Sequence, residues 1–330
     1  MPANLTPQYR EAEQRFREAR SSEDKIAALE EMIRLLPKHK GTDHLFADLK
    51  RRLSKLRSGK GQKKGSARQR SPYHILPSGA GQAVLIGLPN AGKSAIVAAL
   101  TSKAVEVAPY PFTTRVPLPA MMPYENAQVE LIDTPPVTLA EVDPELVALL
   151  RRARLCLLVL DLSDDTLLEA VDGITARLEA RRTRLMHHCS EEVDGEDGSV
   201  ALRTLLVGTH ADVAAARENL ELLRELVAER FAIHPVNTLA PEDMEALRKA
   251  IWEALAVIRI YSQPHGKKAD RTSPFYLPRG ATVLDFAARL HQDFAENLKS
   301  ARVWGSALYH GQHVKADHRL QDEDVVELNT

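Results

Sequence analysis

The pattern of apolar and polar positions changes twice along the chain and divides it into three predicted regions. Over residues 7–57, apolar side chains recur every three or four positions, as between Ile26 and Leu36, which predicts helices. Pro37 ends one of these helices, and Thr42 or Asp43 can cap the next. A helical hairpin is therefore expected within residues 1–72.

Between residues 73 and 256, short apolar runs alternate with segments of helical periodicity. The runs lie at Ala83–Gly87, Val129–Asp133, Leu155–Asp161, Thr204–Gly208 and Phe231–Val236. Strands that alternate with helices are typical of a parallel α/β sheet. Two extended stretches around Glu125 and Asn126 also predict one antiparallel hairpin in this sheet.

Residues 257–330 contain short strand-like runs and a single amphipathic segment, TVLDFAARLHQDF. In that segment Thr282 and Asp285 have the spacing of a capping box, which predicts the start of a helix. One helix among several strands indicates a small α+β domain.

Length and composition are those of an ordinary globular protein. The chain has 330 residues, of which 44% are hydrophobic and 27% charged. Its apolar runs are far shorter than the roughly 20 residues of a membrane span, and its N-terminus has no apolar segment of a secretory signal. A cytoplasmic location without membrane contact is therefore expected. Cys156 lies in an apolar run and is predicted to be a buried, unpaired side chain.

Charge is unevenly distributed. Residues 50–70 contain ten Lys or Arg and no acidic residue, whereas the rest of the chain has 34 basic and 45 acidic side chains. A concentrated basic segment on an otherwise acidic protein favours a polyanionic partner such as RNA. The alternative is a solvated helix face followed by a linker.

The segment GLPNAGKS, residues 87–94, fits the pattern G-x-x-x-x-G-K-[ST] between a predicted strand and a predicted helix. This context is that of a P-loop, whose backbone N–H groups bind phosphates. Lys93 is expected to reach the β- and γ-phosphates, and Ser94 to bind Mg²⁺. The predicted nucleotide contacts of this segment are Gly87, Pro89, Asn90, Ala91, Gly92, Lys93, Ser94 and Ala95.

Further candidate ligands follow in the sequence. Asp133 ends a strand in LIDTPP, where a carboxylate can hold Mg²⁺. Thr113 and Thr114 lie between this strand and the P-loop, and Thr114 is expected to close over the γ-phosphate and complete the metal shell. The alternative for Asp133 is an aspartate that shapes a turn or caps a helix. The alternative for Thr113 and Thr114 is a hydroxyl-rich turn without a ligand.

The segment Thr209-His-Ala-Asp212 directly follows another strand. A carboxylate at Asp212 can accept N1–H and the 2-amino group of guanine, a pair of donors that adenine lacks, which favours GTP over ATP. Asn237 and Thr238, after the next strand, are expected to approach the base. The alternative for Asp212 is a cap of the following helix.

Together these motifs resemble those of the Obg-type GTPases, in GLPNAGKS and YPFTTR. ARVWGSA and DEDVVEL resemble the TGS domain of the developmentally regulated GTP-binding (DRG) branch, and LPKHKGTDHLFADLKRRLSKLR resembles its N-terminal region. The resemblance implies a Ras-like P-loop sheet at 73–256 and a β-grasp TGS domain at 257–330. It also implies a translation-associated regulatory GTPase that contacts ribosomes or RNA, and a possible stabilising protein partner.

Several positions depart from the family pattern. Pro136 replaces the glycine of D-x-P-G and has no N–H to contact a γ-phosphate. Thr209 and His210 replace Asn and Lys of N-K-x-D. Both are expected to contact the nucleotide, with the His210 ring stacked on the base where the stem of the lysine would pack. Val137, by contrast, agrees with the Obg-type enzymes, which also have an apolar residue where Ras-like enzymes have a glutamine that orients water. Slow hydrolysis is therefore expected, with Asn90 as a candidate ligand of an assisting K⁺ ion.

These departures leave three hypotheses. The first is a slow regulatory GTPase, with catalytic contributions from Lys93, Thr114 and Asn90. The second is an interaction module with a degenerate, non-hydrolysing nucleotide site. The third is an ATPase, which requires that Asp212 does not face the base.

Overall fold

A computed structural model describes residues 7–19, 22–36, 43–57, 71–101, 116–187, 198–265, 269–307, 309 and 311–329. The chain forms two compact units, residues 1–70 and 71–330. No helix in the described ranges is long and apolar enough to cross a membrane.

The first unit is helical, with α1 (Pro7–Glu18), α2 (Ser22–Leu35) and α3 (Asp43–Arg57). Its core contains Tyr9, Ala12, Leu29, Met32, Leu36 and Leu49. The predicted hairpin corresponds to α2 and α3, and α1 packs against α2 in addition. Its turn and residues 58–70 of the basic segment lie outside the described residues. In the described part of that segment, Arg52 pairs with Asp48 at 2.9 Å on the same helix.

The second unit begins with a mixed α/β sheet. Its strands are β1 (Gln82–Ile86), β2 (Leu118–Tyr124), β3 (Ala127–Asp133), β4 (Leu155–Asp161), β5 (Thr183–Met186), β6 (Val200–Thr209) and β7 (Ala232–Pro235). The helices are α4 (Lys93–Leu100), α5 (Pro144–Leu150), α6 (Leu167–Ala180), α7 (Ala214–Val227) and α8 (Pro241–Leu255). The strand order is β2-β3-β1-β4-β6-β5, and β7 also pairs with β6. Among these strands only the β2–β3 pair is antiparallel.

Burial explains why these segments form a central sheet. Every residue of β1 is buried, and so are the first six residues of β4. Alternate side chains point to opposite faces, so that Val84 packs with α5, α6 and α7 while Leu85 packs with α4 and α8. A parallel sheet covered on both faces has such continuous apolar strands. Cys156 is fully buried and unpaired, as predicted.

The second sheet contains β8 (Val257–Ser262), β9 (Phe275–Pro278), β10 (Ser300–Trp304), β11 (Gln312–Val314) and β12 (Asp324–Asn329) in the order β11-β10-β12-β8-β9. Helix α9 (Val283–Leu290) packs Val283 and Phe286 against it. The Thr282–Asp285 capping box is present. The predicted single helix was wrong in its extent, because His291 is extended and separates α9 from α10 (Gln292–Glu296). These features confirm the predicted fold class.

The two sheets meet at Arg259 of β8, whose side chain is only 5% exposed. Its guanidinium donates to Asp322 Oδ2 at 2.6 Å and to Asn126 Oδ1 at 2.7 Å, and it also pairs with Glu125. It lies over the ring of Trp252, 5.2 Å from the ring centroid. Arg259 therefore joins the turn of the β2–β3 hairpin to the loop before β12.

Candidate nucleotide-binding site

The loop between β1 and α4 has the backbone shape that its glycines predict. Gly92 has φ 87°, and a Cβ there would lie 2.8 Å from Cγ2 of Thr209. A Cβ at Gly87 would lie 2.3 Å from the carbonyl oxygen of Val159. Asn90 also has a left-handed φ of 62°, a conformation that asparagine tolerates, and its side chain is exposed. This loop ends at the N-terminus of α4, where free backbone N–H groups favour anions.

Lys93 lies in the first turn of α4 and is held under the loop. Its Nζ donates to the carbonyl oxygens of Gly87 at 3.0 Å and Leu88 at 2.9 Å. Burial lowers the pKa of Lys93 to about 8, against the opposing attraction of Asp133. The ammonium is thus oriented inside the loop by backbone carbonyls rather than by a tight ion pair.

Ser94 and Asp133 come together although 39 residues separate them in sequence. Ser94 Oγ donates to Asp133 Oδ2 at 2.6 Å. The contact follows from the parallel pairing of β1 with β3, which brings the end of β3 beside the P-loop. A hydroxyl and a buried carboxylate are oxygen donors of the kind that Mg²⁺ requires, so this pair fits the implied metal. Thr113 and Thr114 lie outside the described residues.

The loop after β3 is fixed to the P-loop side of the sheet. Thr134 is fully buried and donates its hydroxyl to the carbonyl oxygen of Leu85 at 2.5 Å. The backbone N–H of Val137 donates to the carbonyl oxygen of Gly87 at 3.0 Å, and the Val137 side chain belongs to the core. Pro136, between them, has no N–H. The backbone amide next to Pro136 is therefore already engaged by the P-loop.

Thr209, the last residue of β6, connects the predicted base loop to the P-loop. Its hydroxyl lies 3.0 Å from the carbonyl oxygen of Ala91 and 3.1 Å from that of Leu160. Thr209 is 2% exposed. The Thr209 side chain therefore acts as a tether, by which we mean that it links the end of β6 to the P-loop and to β4 through hydrogen bonds. It is buried and does not line an open surface.

His210 and Asp212 lie beyond this tether. His210 has a left-handed φ of 56°, and its Nδ1 is 2.9 Å from Asp161 Oδ1. Asp212 is exposed. Helix α7 has Val213 at its N-cap and no side-chain cap, so the alternative role of Asp212 as a helix cap is wrong.

The Asn237–Thr238 loop lies beside the base loop. The backbone N–H of Ala211 donates to the carbonyl oxygen of Val236 at 3.4 Å. Asn237 Oδ1 accepts the N–H of Leu239 at 2.9 Å, and Asp243 accepts the N–H of Asn237 at 2.7 Å. The Asn237 side chain therefore shapes this loop, and Thr238 is half-buried next to it.

Two residues of this region were missed by sequence reasoning. Thr134 was read only as part of DTPP, although a threonine directly after a strand can anchor the next loop. Asp161 was assigned only to a strand. The available signal was its position at the end of β4, since the carboxyl ends of adjacent parallel strands form one edge.

Comparisons with known proteins agree with this geometry. Residues 82–189 match the 50S ribosome-binding GTPase family model, and residues 258–330 match the TGS domain model. A GTP-binding protein of Methanocaldococcus jannaschii is 28% identical, covering 93% of this chain and 92% of that protein. Developmentally-regulated G-protein 3 of Arabidopsis thaliana is 26% identical, with coverages of 92% and 97%. Ribosome-interacting GTPase 1 of Saccharomyces cerevisiae is 23% identical, with coverages of 92% and 98%.

Among solved structures, the YchF GTPase of Schizosaccharomyces pombe matches with a TM-score of 0.50 and 11% identity, covering 77% of this chain and 99% of that one. This likeness supports the fold. The resemblance seen in the motifs is confirmed by the matched models and by the relatives that align with most of the chain. The chain therefore contains a GTPase domain and a TGS domain, and over most of its length it is similar to the developmentally regulated GTP-binding proteins.

Proposed function

We propose that this protein is a GTP-selective regulatory switch with slow, cation-assisted hydrolysis, acting on ribosomes or RNA. One observation carries the nucleotide part of the proposal. The P-loop, the Ser94–Asp133 pair and the 209–212 loop converge at one edge of the parallel sheet. Phosphate, metal and base contacts of a nucleotide require such a shared edge.

In this proposal Lys93 and the P-loop N–H groups bind the phosphates, while Ser94 and Asp133 hold Mg²⁺. The bound ion neutralises charge on the β- and γ-phosphates. The structure orients Lys93 through two carbonyl oxygens, so its ammonium needs little rearrangement to meet a phosphate oxygen. Thr114 is proposed to complete the metal shell.

Guanine selectivity is assigned to Asp212. Its carboxylate is exposed and is not used as a helix cap, which leaves it available to accept N1–H and the 2-amino group. Thr209 fixes the start of this loop against the P-loop. The base contacts are thus held at a set distance from the phosphate contacts, with Asn237 and Thr238 forming the adjoining loop.

Slow hydrolysis follows from the loop after β3. Val137 is 4% exposed and packs in the core, so its position offers no polar group to orient a water molecule. Asn90 is exposed on the P-loop, where its amide oxygen can ligate a K⁺ ion beside the phosphates. Unassisted turnover is then expected on the scale of ~10⁻⁴–10⁻³ per second.

The ribosomal part of the proposal rests on relatives and charge. A relative that aligns with 92% of this chain is named as a ribosome-interacting GTPase. Residues 50–70 provide a basic segment suited to phosphate backbones, and the TGS domain provides a second contact surface. The protein is proposed to act in the cytoplasm, where ribosomes are found, with a stabilising protein partner as a further possibility to test.

A competition experiment tests the nucleotide part. Labelled GDP is bound to the purified chain and displaced with GTP, ATP or XTP. GTP should compete at least a hundredfold better than ATP, and Lys93→Ala should abolish binding. Lys249→Ala is the control, because the Lys249 side chain is 67% exposed on α8 and forms a surface pair with Glu253 at 4.0 Å. Equal competition by ATP and GTP, or unchanged binding by Lys93→Ala, would exclude the proposed function.

Asp212→Asn provides a second arm of the same experiment. The amide presents a donor in place of one acceptor, so preference should shift from GTP toward XTP, whose base has an acceptor at position 2. A variant that keeps its preference for GTP would show that Asp212 does not face the base.

The non-hydrolysing interaction module remains the second candidate, because Pro136 supplies no amide and the N–H of Val137 is bound by Gly87. Both candidates predict tight GTP binding. They differ in turnover, which a single-turnover assay over several hours measures directly.

A further inference from the structure

A second carboxylate, Asp161, lies next to the base loop. It ends β4, and β4 pairs with β6 so that Asp161 and Thr209 are register partners. Its Oδ1 lies 2.9 Å from Nδ1 of His210. A carboxylate accepts hydrogen bonds, so the His210 ring is held with its proton on Nδ1.

The surroundings of Asp161 keep it ionised and fixed. Its Oδ1 accepts the backbone N–H of Ser163 at 2.9 Å and the Ser163 hydroxyl at 2.6 Å. Partial burial raises the pKa of Asp161, but the hydrogen bonds from Ser163 and the contact with His210 outweigh it and lower that pKa overall. The acceptor for His210 is therefore pre-oriented by its own loop.

His210 needs such a partner. Its φ of 56° is a left-handed conformation that is unfavourable for a residue with a side chain unless its surroundings stabilise it. The side chain is 49% exposed, so packing alone does not fix it. In the family pattern this position is a lysine, whereas here the ring reaches back to a neighbouring strand.

Several contacts hold the backbone that presents Asp212, among them the hydrogen bond from the Val213 N–H to the carbonyl oxygen of His210 at 3.1 Å. Thr209 binds the P-loop and β4 through Ala91 and Leu160, and Ala211 binds the next loop through Val236. Between these two anchors, Nδ1 of the His210 ring lies 2.9 Å from Asp161 Oδ1 and 3.4 Å from the Thr209 hydroxyl. Without the contact to Asp161, the His210 side chain would lose its bond to the neighbouring strand, and the loop that carries Asp212 would be held less firmly.

We propose that Asp161 is a positioning residue for guanine recognition, which acts through His210 to orient the loop that carries Asp212. This inference rests on the proposed GTP selectivity. At the position where the family pattern has a lysine, His210 together with Asp161 would then orient the loop that carries Asp212. Asp161 does not touch the nucleotide in this proposal.

The test compares affinities for GDP and IDP, because inosine lacks the 2-amino group that Asp212 accepts. Asp161→Ala should lower GDP affinity about tenfold, the effect of one hydrogen bond to a charged group. IDP affinity should fall less, so the GDP-to-IDP ratio should shrink. Asp161→Asn keeps an oxygen acceptor for Nδ1–H and should restore most of the ratio.

Two further variants separate positioning from a structural effect. Asp164→Ala is the matched control, since Asp164 lies in the same loop and its carboxylate accepts hydrogen bonds from the N–H and hydroxyl of Thr166. His210→Ala should reproduce the effect of Asp161→Ala, and the double variant should add nothing further, because both act through one contact. If Asp161→Ala does not fold, the ratio of GDP to IDP affinity is measured on His210→Ala alone.

The outcomes are distinct. A wild-type protein without guanine preference would overturn the proposed function and this inference together. A wild-type preference that survives in both Asp161→Ala and His210→Ala would overturn the inference alone. Additive losses in the double variant would also overturn it, since independent effects exclude action of one residue through the other.

Discussion

The substitution Arg259→Met tests whether the GTPase and TGS sheets are joined as one folded unit. It removes a guanidinium that binds Asp322 of the TGS domain and Glu125 and Asn126 of the β2–β3 turn. Methionine has a similar length and fills the space against Trp252. The change therefore deletes the polar contacts with little change in packing.

The expected loss of folding free energy in Arg259→Met can be worked out from the burial of the Arg259 side chain and its partners. The Arg259 side chain is 5% exposed, whereas those of Asp322 and Glu125 are 36% and 57% exposed. Breaking a fully buried ion pair costs about 3–5 kcal/mol, and partial exposure of the acidic partners places this case at the lower end, about 3 kcal/mol. For a unit of this size each kcal/mol corresponds to about 2–4 °C, so the melting temperature should fall by roughly 6–12 °C.

Thermal unfolding of the full chain, followed by calorimetry at low protein concentration, measures this loss. Arg230→Met is the control, because Arg230 and Asp172 form an exposed pair at 3.5 Å, with exposures of 44% and 76%. Such a pair contributes less than about 1 kcal/mol. Glu125→Ala should fall between the two.

Equal melting temperatures for Arg259→Met and Arg230→Met would refute this reasoning. They would show that the buried network contributes no more than a surface pair. The junction between the sheets would then depend on the apolar contacts alone, such as the packing of Val257 and Tyr276 against the core of the first sheet.

Three further predictions concern the nucleotide site. Gly92→Ala should weaken GDP binding at least tenfold in a fluorescence titration, because its Cβ would lie 2.8 Å from Thr209 at a left-handed φ; wild-type affinity would contradict the loop geometry. Pro136→Gly should raise GTP affinity relative to GDP by about tenfold by supplying an N–H for the γ-phosphate, and an unchanged ratio would show that this amide does not reach the phosphate. Asn90→Gly keeps the left-handed turn but removes the amide, so it should abolish any difference between turnover in KCl and in NaCl, whereas a persisting difference would exclude Asn90 as the cation ligand.

The P-loop could be predicted from the sequence because its chemistry is local. The spacing from Gly87 to Ser94 requires a strand before it and a helix after it, and β1 and α4 have those positions. The antiparallel hairpin was also predictable, since the polar turn at Glu125–Asn126 separates two extended stretches. In both cases neighbouring residues determine the outcome.

Contacts between distant segments were harder to predict. The role of Thr209 as a tether depends on the position of Ala91, 118 residues away. The Asp161–His210 pair depends on β4 and β6 being neighbours, which the strand order decides. Arg259 appeared only as one polar residue within an apolar strand, because its acidic partners come from two other loops.

Short strands and helix breaks were also missed. Strands β5 and β11 have only four and three residues, too few to show a period. The helix predicted over TVLDFAARLHQDF divides at His291, whose extended backbone starts α10 with its own ring as the cap acceptor. Such a cap competes locally with helix continuation, and sequence periodicity does not reveal which of the two is preferred.

The most direct test of a slow, cation-assisted GTPase is single-turnover hydrolysis by the purified full chain. GTP and ATP are compared in KCl and in NaCl at equal ionic strength, with Lys93→Ala as the blank. We expect GTP-selective turnover of about 10⁻⁴–10⁻³ per second in NaCl and a clear increase in KCl. Tight GTP binding without turnover in either salt would contradict the switch and support the non-hydrolysing module, with Pro136 as the first residue to restore.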